Sequence, residues 1–161
     1  MDLKNCSTAI FVRDIERSKT FYRDVLGIPV SLDFGKNVIL ACGLTLWEIN
    51  DSHIITATLG TDGIRNETVN RFELYFETED MDGVSRALED HGVTLVHGIH
   101  EEPWGQRTIR FFDPDRHLIE AGESMKQFVT RFYRQGMTPE EVAHRTSVPV
   151  EEVKRLVGEV S

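Results

Sequence analysis

The chain has 161 residues, a length that predicts one domain with its own hydrophobic core. Acidic residues outnumber basic ones by 27 to 18, and the formal charge of −9 argues against a nucleic-acid partner, because a phosphate backbone would be repelled. The two cysteines, Cys6 and Cys42, lack metal-type spacing, and no apolar run is typical of a signal peptide or a membrane-spanning helix, so we expect a cytoplasmic protein without a membrane partner.

The N-terminal part of the chain predicts a β-α-β-β-β module. Alternation over residues 7–12 predicts a strand, and Asp14 is placed to cap a helix over residues 15–26 that ends at Gly27. The runs that follow predict three short strands, at residues 30–34, 38–41 and 44–49. Residues 50–70 are polar and weakly periodic, which favours a connector with room for one short helix.

A second module repeats this order. We expect a strand at residues 71–78, a helix at Met81–Asp90, and strands near residues 93–99, Arg107–Phe112 and 117–121, with a turn at Asp113-Pro114-Asp115. A repeat period of roughly 65 residues is too long for a solenoid unit. The sequence therefore predicts duplicated modules, at about residues 5–50 and 71–124, within one domain that spans residues 1–124.

The remaining residues, 125–161, predict a helical tail with helices at residues 125–135, 138–146 and 150–160. Its helix-turn-helix pattern is typical of DNA-reading modules, which makes a ligand-responsive regulator one alternative. Six basic side chains are nearly balanced by five glutamates, and Glu151 and Glu152 open the would-be recognition helix. We therefore expect the apolar faces of the tail to pack on the domain or on a partner subunit, without nucleic acid.

Two motifs resemble the vicinal oxygen chelate superfamily, which groups glyoxalase I, extradiol dioxygenases, fosfomycin-modifying enzymes and bleomycin-binding proteins. They are FVRDIERSKTFYRDVLG at residues 11–27 and RFFDPDRHLIEAGE at residues 110–123. The resemblance covers about residues 5–124. It implies an α+β fold in which two βαβββ modules form a curved mixed-sheet cup that binds a small organic molecule. We also expect a homodimer.

In metal-bearing members of that superfamily, four ligands occupy matched strand positions, which correspond here to Ser7, Glu48, Glu73 and Glu120. The histidines usual at the positions of Ser7 and Glu73 are missing. An all-oxygen set suits Mg²⁺, Mn²⁺ or Ca²⁺ better than Zn²⁺ or Ni²⁺. Such a cation could chelate a substrate while Glu120 or Tyr75 moves a proton, which favours a metal-dependent lyase or isomerase of the glyoxalase type.

A second interpretation needs no metal. Arg110 lies on a strand next to Glu73 and Glu120 and could pair with either of them, so that the cup binds an organic ligand, as in an antibiotic-sequestering resistance protein. The segment Pro-Trp-Gly-Gln at residues 103–106 resembles one seen in bleomycin-binding relatives. Candidate ligand contacts are Phe11, Trp104, Gln106 and Arg110.

Alternation also gives expectations for side chains outside these sets. It places Trp47 opposite Glu48, toward the helix, which weakens its claim as a ligand contact. It points His97 and His100 to opposite faces of a strand, unless that strand breaks at Gly98, so joint ligation of a metal is not expected.

Overall fold

The computed structural model of the chain describes residues 7–49, 51, 54–60 and 73–158. These residues belong to two compact units. The first unit holds the N-terminal module together with the turn Phe112–His117, and the second holds the rest of the second module and the C-terminal helices. The predicted short helix of the connector is present at Ile54–Leu59, while most of the remaining connector lies outside the described residues.

The first unit contains a mixed four-stranded sheet. Its elements are β1 (Ala9–Phe11), α1 (Ile15–Thr20, continued by a π-helical turn over Phe21–Val25), β2 (Val30–Asp33), β3 (Asn37–Leu40), β4 (Thr45–Trp47) and α2 (Ile54–Leu59). The strand order is β1-β4-β3-β2, with β1 parallel to β4 and the other neighbours antiparallel. The order β-α-β-β-β predicted from the sequence is confirmed here.

Helix α1 begins where the sequence predicts. Asp14 lies outside the helix, and its side chain accepts a hydrogen bond from the Arg17 backbone N–H at 3.0 Å, which satisfies an otherwise unpaired donor. The predicted single α-helix over residues 15–26 differs from the structure, because its last part is a wider π turn closed by the hydrogen bond from Leu26 N to Phe21 O. This turn carries two adjacent rings, Phe21 and Tyr22, that are both buried and meet edge to face.

The second unit repeats the topology of the first. Its strands and first helix are β5 (Leu74–Thr78), α3 (Met81–Asp90), β6 (Leu95–Glu101), β7 (Arg107–Phe112) and β8 (Leu118–Glu123). The sheet order is β5-β8-β7-β6, with β5 parallel to β8 and β6 antiparallel to β7. Asp80 caps α3 by accepting from Gly83 N at 2.8 Å, as Asp14 caps α1. The duplication inferred from the sequence is therefore present in the strand order of the two sheets.

Some predicted boundaries were wrong by one or two residues. The strand expected at residues 93–99 runs over Leu95–Glu101, and the last strand begins at Leu118 and continues to Glu123. The strand predicted at residues 7–12 pairs only over Ala9–Phe11. Strand ends depend on which neighbour supplies ladder hydrogen bonds, and a single strand's own pattern does not contain this information.

The turn after β7 is organised by one buried carboxylate, that of Asp113. Its Oδ1 accepts from the backbone N–H groups of Asp115 and His117 at 2.9 and 2.8 Å, and its Oδ2 accepts from the Tyr22 hydroxyl at 3.2 Å. His117 Nδ1 lies 2.8 Å from the same Oδ2. The Asp-Pro-Asp motif that carries the family resemblance therefore has a structural role in this chain.

The tail forms three helices of the second unit: α4 (Met125–Arg134), α5 (Pro139–Thr146) and α6 (Val150–Val157). The predicted capping box is present, since Thr138 and Glu141 each bond the backbone N–H of the other. The tail encloses a small apolar core of its own, made of Phe128, Val129, Phe132, Val142, Val148 and Val153. None of the described helices has the length and apolar character needed to cross a bilayer.

Candidate functional site

One side of the second sheet carries most of the predicted site residues. Tyr75 on β5 is paired in parallel register with Glu120 on β8, so both side chains lie on the same side of the sheet. Their neighbours Ile119 and Ala121 are buried on the opposite side. We call the first side the polar face and define it by Glu73, Tyr75, Gln106, Arg110 and Glu120.

Arg110 lies among three carboxyl groups, two on the polar face and one from the turn after β6. Its Nε donates to Glu73 Oε2 at 3.0 Å, its Nη1 donates to Glu102 Oε1 at 2.8 Å, and its Nη2 lies against Glu120 Oε2. Glu102 was not among the predicted site residues. It follows β6 in a turn that is closed by the hydrogen bond from Glu102 N to Gln106 O. Because this turn is irregular, neither the strand nor the helix periodicity of the sequence predicts where its side chain points.

The pKa values of Glu120 and Glu102, on either side of Arg110, are shifted in opposite directions. Burial raises the pKa of Glu120 above its ordinary value; the positive charge of Arg110 opposes this shift, and the negative charges of Glu73 and Glu102 add to it. The hydrogen bond from Arg110 lowers the pKa of Glu102. Burial alone would lower the pKa of Arg110, but its hydrogen bonds to Glu102 and Glu73 raise it, so the guanidinium stays charged.

A second cluster on the polar face is uncharged. Gln106 Nε2 donates to the Tyr75 hydroxyl at 2.9 Å and to Glu123 O at 2.8 Å, while Gln106 Oε1 accepts from Trp104 Nε1 at 3.1 Å. These bonds hold the amide rigidly between two aromatic side chains that are 46% and 42% exposed. Gly122 leaves the room they need, because a Cβ there would lie 2.8 Å from Gln106 Nε2 and 2.9 Å from a Tyr75 ring carbon.

The two histidines of β6 lie close together in the structure. The pairing of β6 with β7 shifts in register between His97 and His100, and their rings lie 5.7 Å apart instead of on opposite faces. The exception foreseen for a break at Gly98 therefore applies. His97 Nε2 also lies 3.3 Å from Arg110 Nη1, which adds this imidazole to the edge of the carboxylate cluster.

The first unit holds the other predicted residues. Glu48 accepts from Ile15 N at the start of α1 at 2.9 Å and pairs with Lys36, whose contact lowers the pKa of this carboxyl group. Ser7 is exposed ahead of β1. Phe11 and Trp47 are register partners with ring centroids 6.0 Å apart, on the side of the sheet opposite the buried Ile10 and Leu46. Trp47 therefore faces away from the core, and the expectation that it faces the helix was wrong.

Three of the four predicted metal ligands contact a cationic side chain of their own unit. Glu73 and Glu120 contact Arg110, Glu48 contacts Lys36, and Ser7 and Glu48 belong to a different unit from Glu73 and Glu120. Among the described residues, no three His, Cys, Asp or Glu side chains are arranged to hold a metal ion. The charge around Glu73 and Glu120 does not favour a divalent cation, because Arg110 already supplies there the positive charge that such an ion would bring.

Comparison with known proteins agrees with this fold. The family model described as glyoxalase-like domain matches residues 6–126. A crystal structure of a protein of unknown function from Agrobacterium tumefaciens is similar at 36% identity and a TM-score of 0.63, over 78% of this chain and 97% of that one. A lactoylglutathione lyase from the same organism is 25% identical with a TM-score of 0.56, over 75% of this chain and 93% of that one.

A curated relative agrees as well. The uncharacterized protein YraH of Bacillus subtilis is 28% identical over an alignment of 123 residues, and the match covers 73% of this chain and 96% of the relative. The match of the family model spans about three quarters of the sequence and includes both modules, whose sheets have the same strand order. The chain therefore belongs to the glyoxalase-like domain family.

Proposed function

We propose that the polar face of the second sheet binds a small organic molecule without a metal ion, and that it favours a planar ligand with positive charge. The observation that carries this proposal is the position of Arg110 among Glu73, Glu102 and Glu120. The guanidinium offsets the repulsion between the carboxylates, which is the task that a divalent cation would otherwise perform.

The charge of this cluster favours a cationic partner. Three carboxyl groups surround one guanidinium, and Arg110 engages one oxygen of each. Carboxylates are acceptors only, so a face built in this way attracts a ligand that brings hydrogen-bond donors. An anionic ligand would have to displace at least one of the carboxylates from Arg110.

The aromatic side chains at this face favour a planar ligand. Tyr75 and Trp104 are both half-exposed, and Gln106 fixes the polar ends of both through hydrogen bonds. A flat cation can stack on such rings, and an attraction between its charge and the ring faces adds to the stacking. Because the rings are already held in place, little conformational entropy is lost when the ligand binds.

Two dyes of opposite charge test this proposal. Thioflavin T is a planar cation and anilinonaphthalene sulfonate is an aromatic anion, and we expect the protein to bind the cation at least about tenfold more tightly in fluorescence titrations. Trp104→Ala and Glu73→Gln should each weaken thioflavin T binding. Glu89→Gln removes the same charge from the exposed surface of α3 and is the matched control.

Three results would contradict the proposal. The first is equal binding of the two dyes, and the second is an affinity for thioflavin T that neither Trp104→Ala nor Glu73→Gln changes. The third is a tenfold gain in affinity on addition of Mn²⁺, which would instead support the metal-dependent alternative.

A lyase or isomerase that works without a metal is the second candidate, and Glu120 favours it. This carboxyl group is 5% exposed and has a raised pKa, which makes it a stronger base than an ordinary glutamate. From an α-hydroxy ketone or aldehyde it could take the proton of the hydroxyl-bearing carbon, which gives an enediolate. Transfer of the hydroxyl proton to the other oxygen and return of the first proton to the former carbonyl carbon complete the isomerisation. The similar Agrobacterium structure named as a lactoylglutathione lyase supports the same class of chemistry.

Proton exchange tests this second candidate. Dihydroxyacetone in D₂O should exchange its α-hydrogens faster with the wild-type protein than with Glu120→Gln, as followed by proton NMR. Equal rates for the two proteins would remove Glu120 as the base.

A further inference from the structure

The C-terminal helices contact the loop that carries two of the candidate ligand contacts. This loop, residues 102–106, follows β6 and is called the Trp104 loop here. Arg131 on α4 donates from Nη2 to Gly105 O at 2.6 Å, and Arg145 on α5 donates from Nη1 to Pro103 O. Each of two successive tail helices therefore binds one backbone carbonyl of the loop. Helix α5 binds the carbonyl before Trp104, and α4 binds the carbonyl after it.

The same two arginines share a further partner at the end of β6. Arg145 Nη2 donates to Glu101 Oε1 at 2.8 Å, and Arg131 Nη1 donates to Glu101 Oε2 at 3.2 Å. Glu101 thus fixes the spacing of the two guanidinium groups at the entrance of the loop. Because the contacts are charge-assisted hydrogen bonds, they are directional as well as attractive.

Phe132 adds a close apolar contact in the middle of the loop. A Cβ on Gly105 would lie 2.7 Å from Phe132 Cζ, and the backbone φ of Gly105 is +93°, a conformation that favours glycine. The guanidinium carbons of Arg131 and Arg145 lie 4.6 and 5.3 Å from the centre of the Phe132 ring. The loop and α4 therefore approach each other as closely as the absence of a side chain at Gly105 allows.

A buried carboxylate connects α4 to the polar face as well. Glu123 at the end of β8 is 1% exposed and accepts from both Arg107 and Arg131. Its backbone carbonyl accepts from Gln106 Nε2, the same nitrogen that bonds the Tyr75 hydroxyl. A displacement of Arg131 would thus disturb the Trp104 loop and the strand on which Gln106 rests.

We propose that the C-terminal helices are a positioning element for the ligand face, and that Arg131 and Arg145 are the positioning residues that set the place of Trp104 and Gln106. Almost all of this tail lies beyond residues 6–126, which the family model matches, so it is an addition to the duplicated fold. The effect on ligand affinity rests on the proposed function, whereas the effect on the loop does not.

Fluorescence of Trp104 tests the effect on the loop without any ligand. The chain has two tryptophans, so Trp47→Phe leaves Trp104 as the only reporter. In this background we expect Arg145→Gln to raise the acrylamide quenching constant of Trp104 about twofold, because the loop opens more often. Arg145→Lys keeps the charge and one donor and should return quenching most of the way to the parent value.

Arg155→Gln is the matched control, since it removes the same charge from α6 at an exposed ion pair with Glu152. Both positions are partly exposed, so neither variant should prevent folding, and circular dichroism checks this. Quenching that stays at the parent value in Arg145→Gln, or that rises equally in Arg155→Gln, would overturn the proposal.

Thioflavin T titrations of the proteins that retain Trp47 complete the test. We expect Arg145→Gln to weaken binding about threefold to tenfold and Arg155→Gln to leave it unchanged. If quenching rises but the wild-type protein fails to bind the dye, the proposed function falls and the positioning of the loop stands. If the wild type binds and Arg145→Gln binds equally well, the positioning role in ligand binding is wrong.

Discussion

Glu120 combines burial with a charged neighbourhood, and this makes its ionisation sensitive to pH. Burial raises its pKa, while the pKa of Glu102 on the other side of Arg110 is lowered. As the pH falls from neutrality, Glu120 is therefore protonated before Glu102. The loss of one carboxylate reduces the attraction of the polar face for a cation.

We expect the affinity for thioflavin T to fall as the pH is lowered, with a midpoint above the ordinary glutamate value of about 4.3. Glu120→Gln should weaken binding about threefold to tenfold at neutral pH and abolish this step in the profile. Titrations at a series of pH values measure both effects. A profile that is the same in the wild type and the variant would assign the step to another group.

Ser147 has a left-handed backbone conformation at the end of α5, with φ of 60°. Glycine adopts this conformation without steric cost, although it loses more entropy on folding. Ser147→Gly should raise the free energy of unfolding by about 0.5 kcal/mol in urea titrations. Ser124→Gly should lower it instead, because Ser124 has φ of −60° and caps α4 through its side chain.

The contact between α4 and the Trp104 loop predicts a large effect at the level of the element. Gly105→Ala meets both a positive φ and the Phe132 ring, and we expect it to lower the free energy of unfolding by about 2–4 kcal/mol. Gly136→Ala is the control. Its φ is +95°, but a Cβ added there would have no other atom within 4 Å, apart from its chain neighbours. Only the conformational cost of about 1–2 kcal/mol therefore applies. If both variants lose the same free energy of unfolding, the Phe132 ring moves away from the added methyl group at little cost.

The carboxylate of Glu123 joins β8, β7 and α4. Burial alone would raise its pKa, but the hydrogen bonds from Arg131 and Arg107 lower it below the ordinary value. A lowered folded-state pKa means that Glu123 stabilises the protein above the unfolded pKa of about 4.3, and that this contribution is lost as the pH falls through the folded pKa.

Glu123→Gln should lower the free energy of unfolding by about 2–3 kcal/mol at pH 7. The loss is smaller than for a fully buried ion pair, because Arg107 and Arg131 are partly exposed and water can solvate them in the variant. The difference from the wild type should shrink below about pH 4. Glu101→Gln is the exposed comparison and should cost less than about 1 kcal/mol. Denaturant titrations at two pH values provide the measurement, and a difference that grows in acid would contradict the assignment.

For the whole molecule, the arrangement of charges predicts a weak response to divalent cations. A ligand present at a hundred times its dissociation constant stabilises the folded state by about 2.7 kcal/mol. We expect Mg²⁺, Mn²⁺ or Ca²⁺ to produce no such gain in chelator-treated protein, because Arg110 and Lys36 already pair with the carboxylates. Thermal unfolding with and without each ion checks this, and a clear rise in Tm would restore the metal-dependent alternative. Sedimentation measures the expected homodimer, which stays a prediction.

Much of the fold could be predicted because its signals are local. Asp14 and Asp80 cap helices through bonds within one turn, and alternation along β5 and β8 placed Tyr75 and Glu120 on one face of a sheet. The pairing of Arg110 with Glu73 and Glu120 was one of two interpretations, and the structure shows this pairing. The third carboxylate, Glu102, was missed because it reaches Arg110 from an irregular turn.

Local sequence signals were enough to predict the order of the elements, the duplication of the module and the family, since periodicity, caps and turn residues act over a few positions. Local signals did not reveal that Trp47 shares a face with Phe11, that a register shift brings His97 near His100, or that Arg131 and Arg145 reach the Trp104 loop. These arrangements depend on strand register and on contacts between residues far apart in the chain, and their free energies exist only once the segments have packed together.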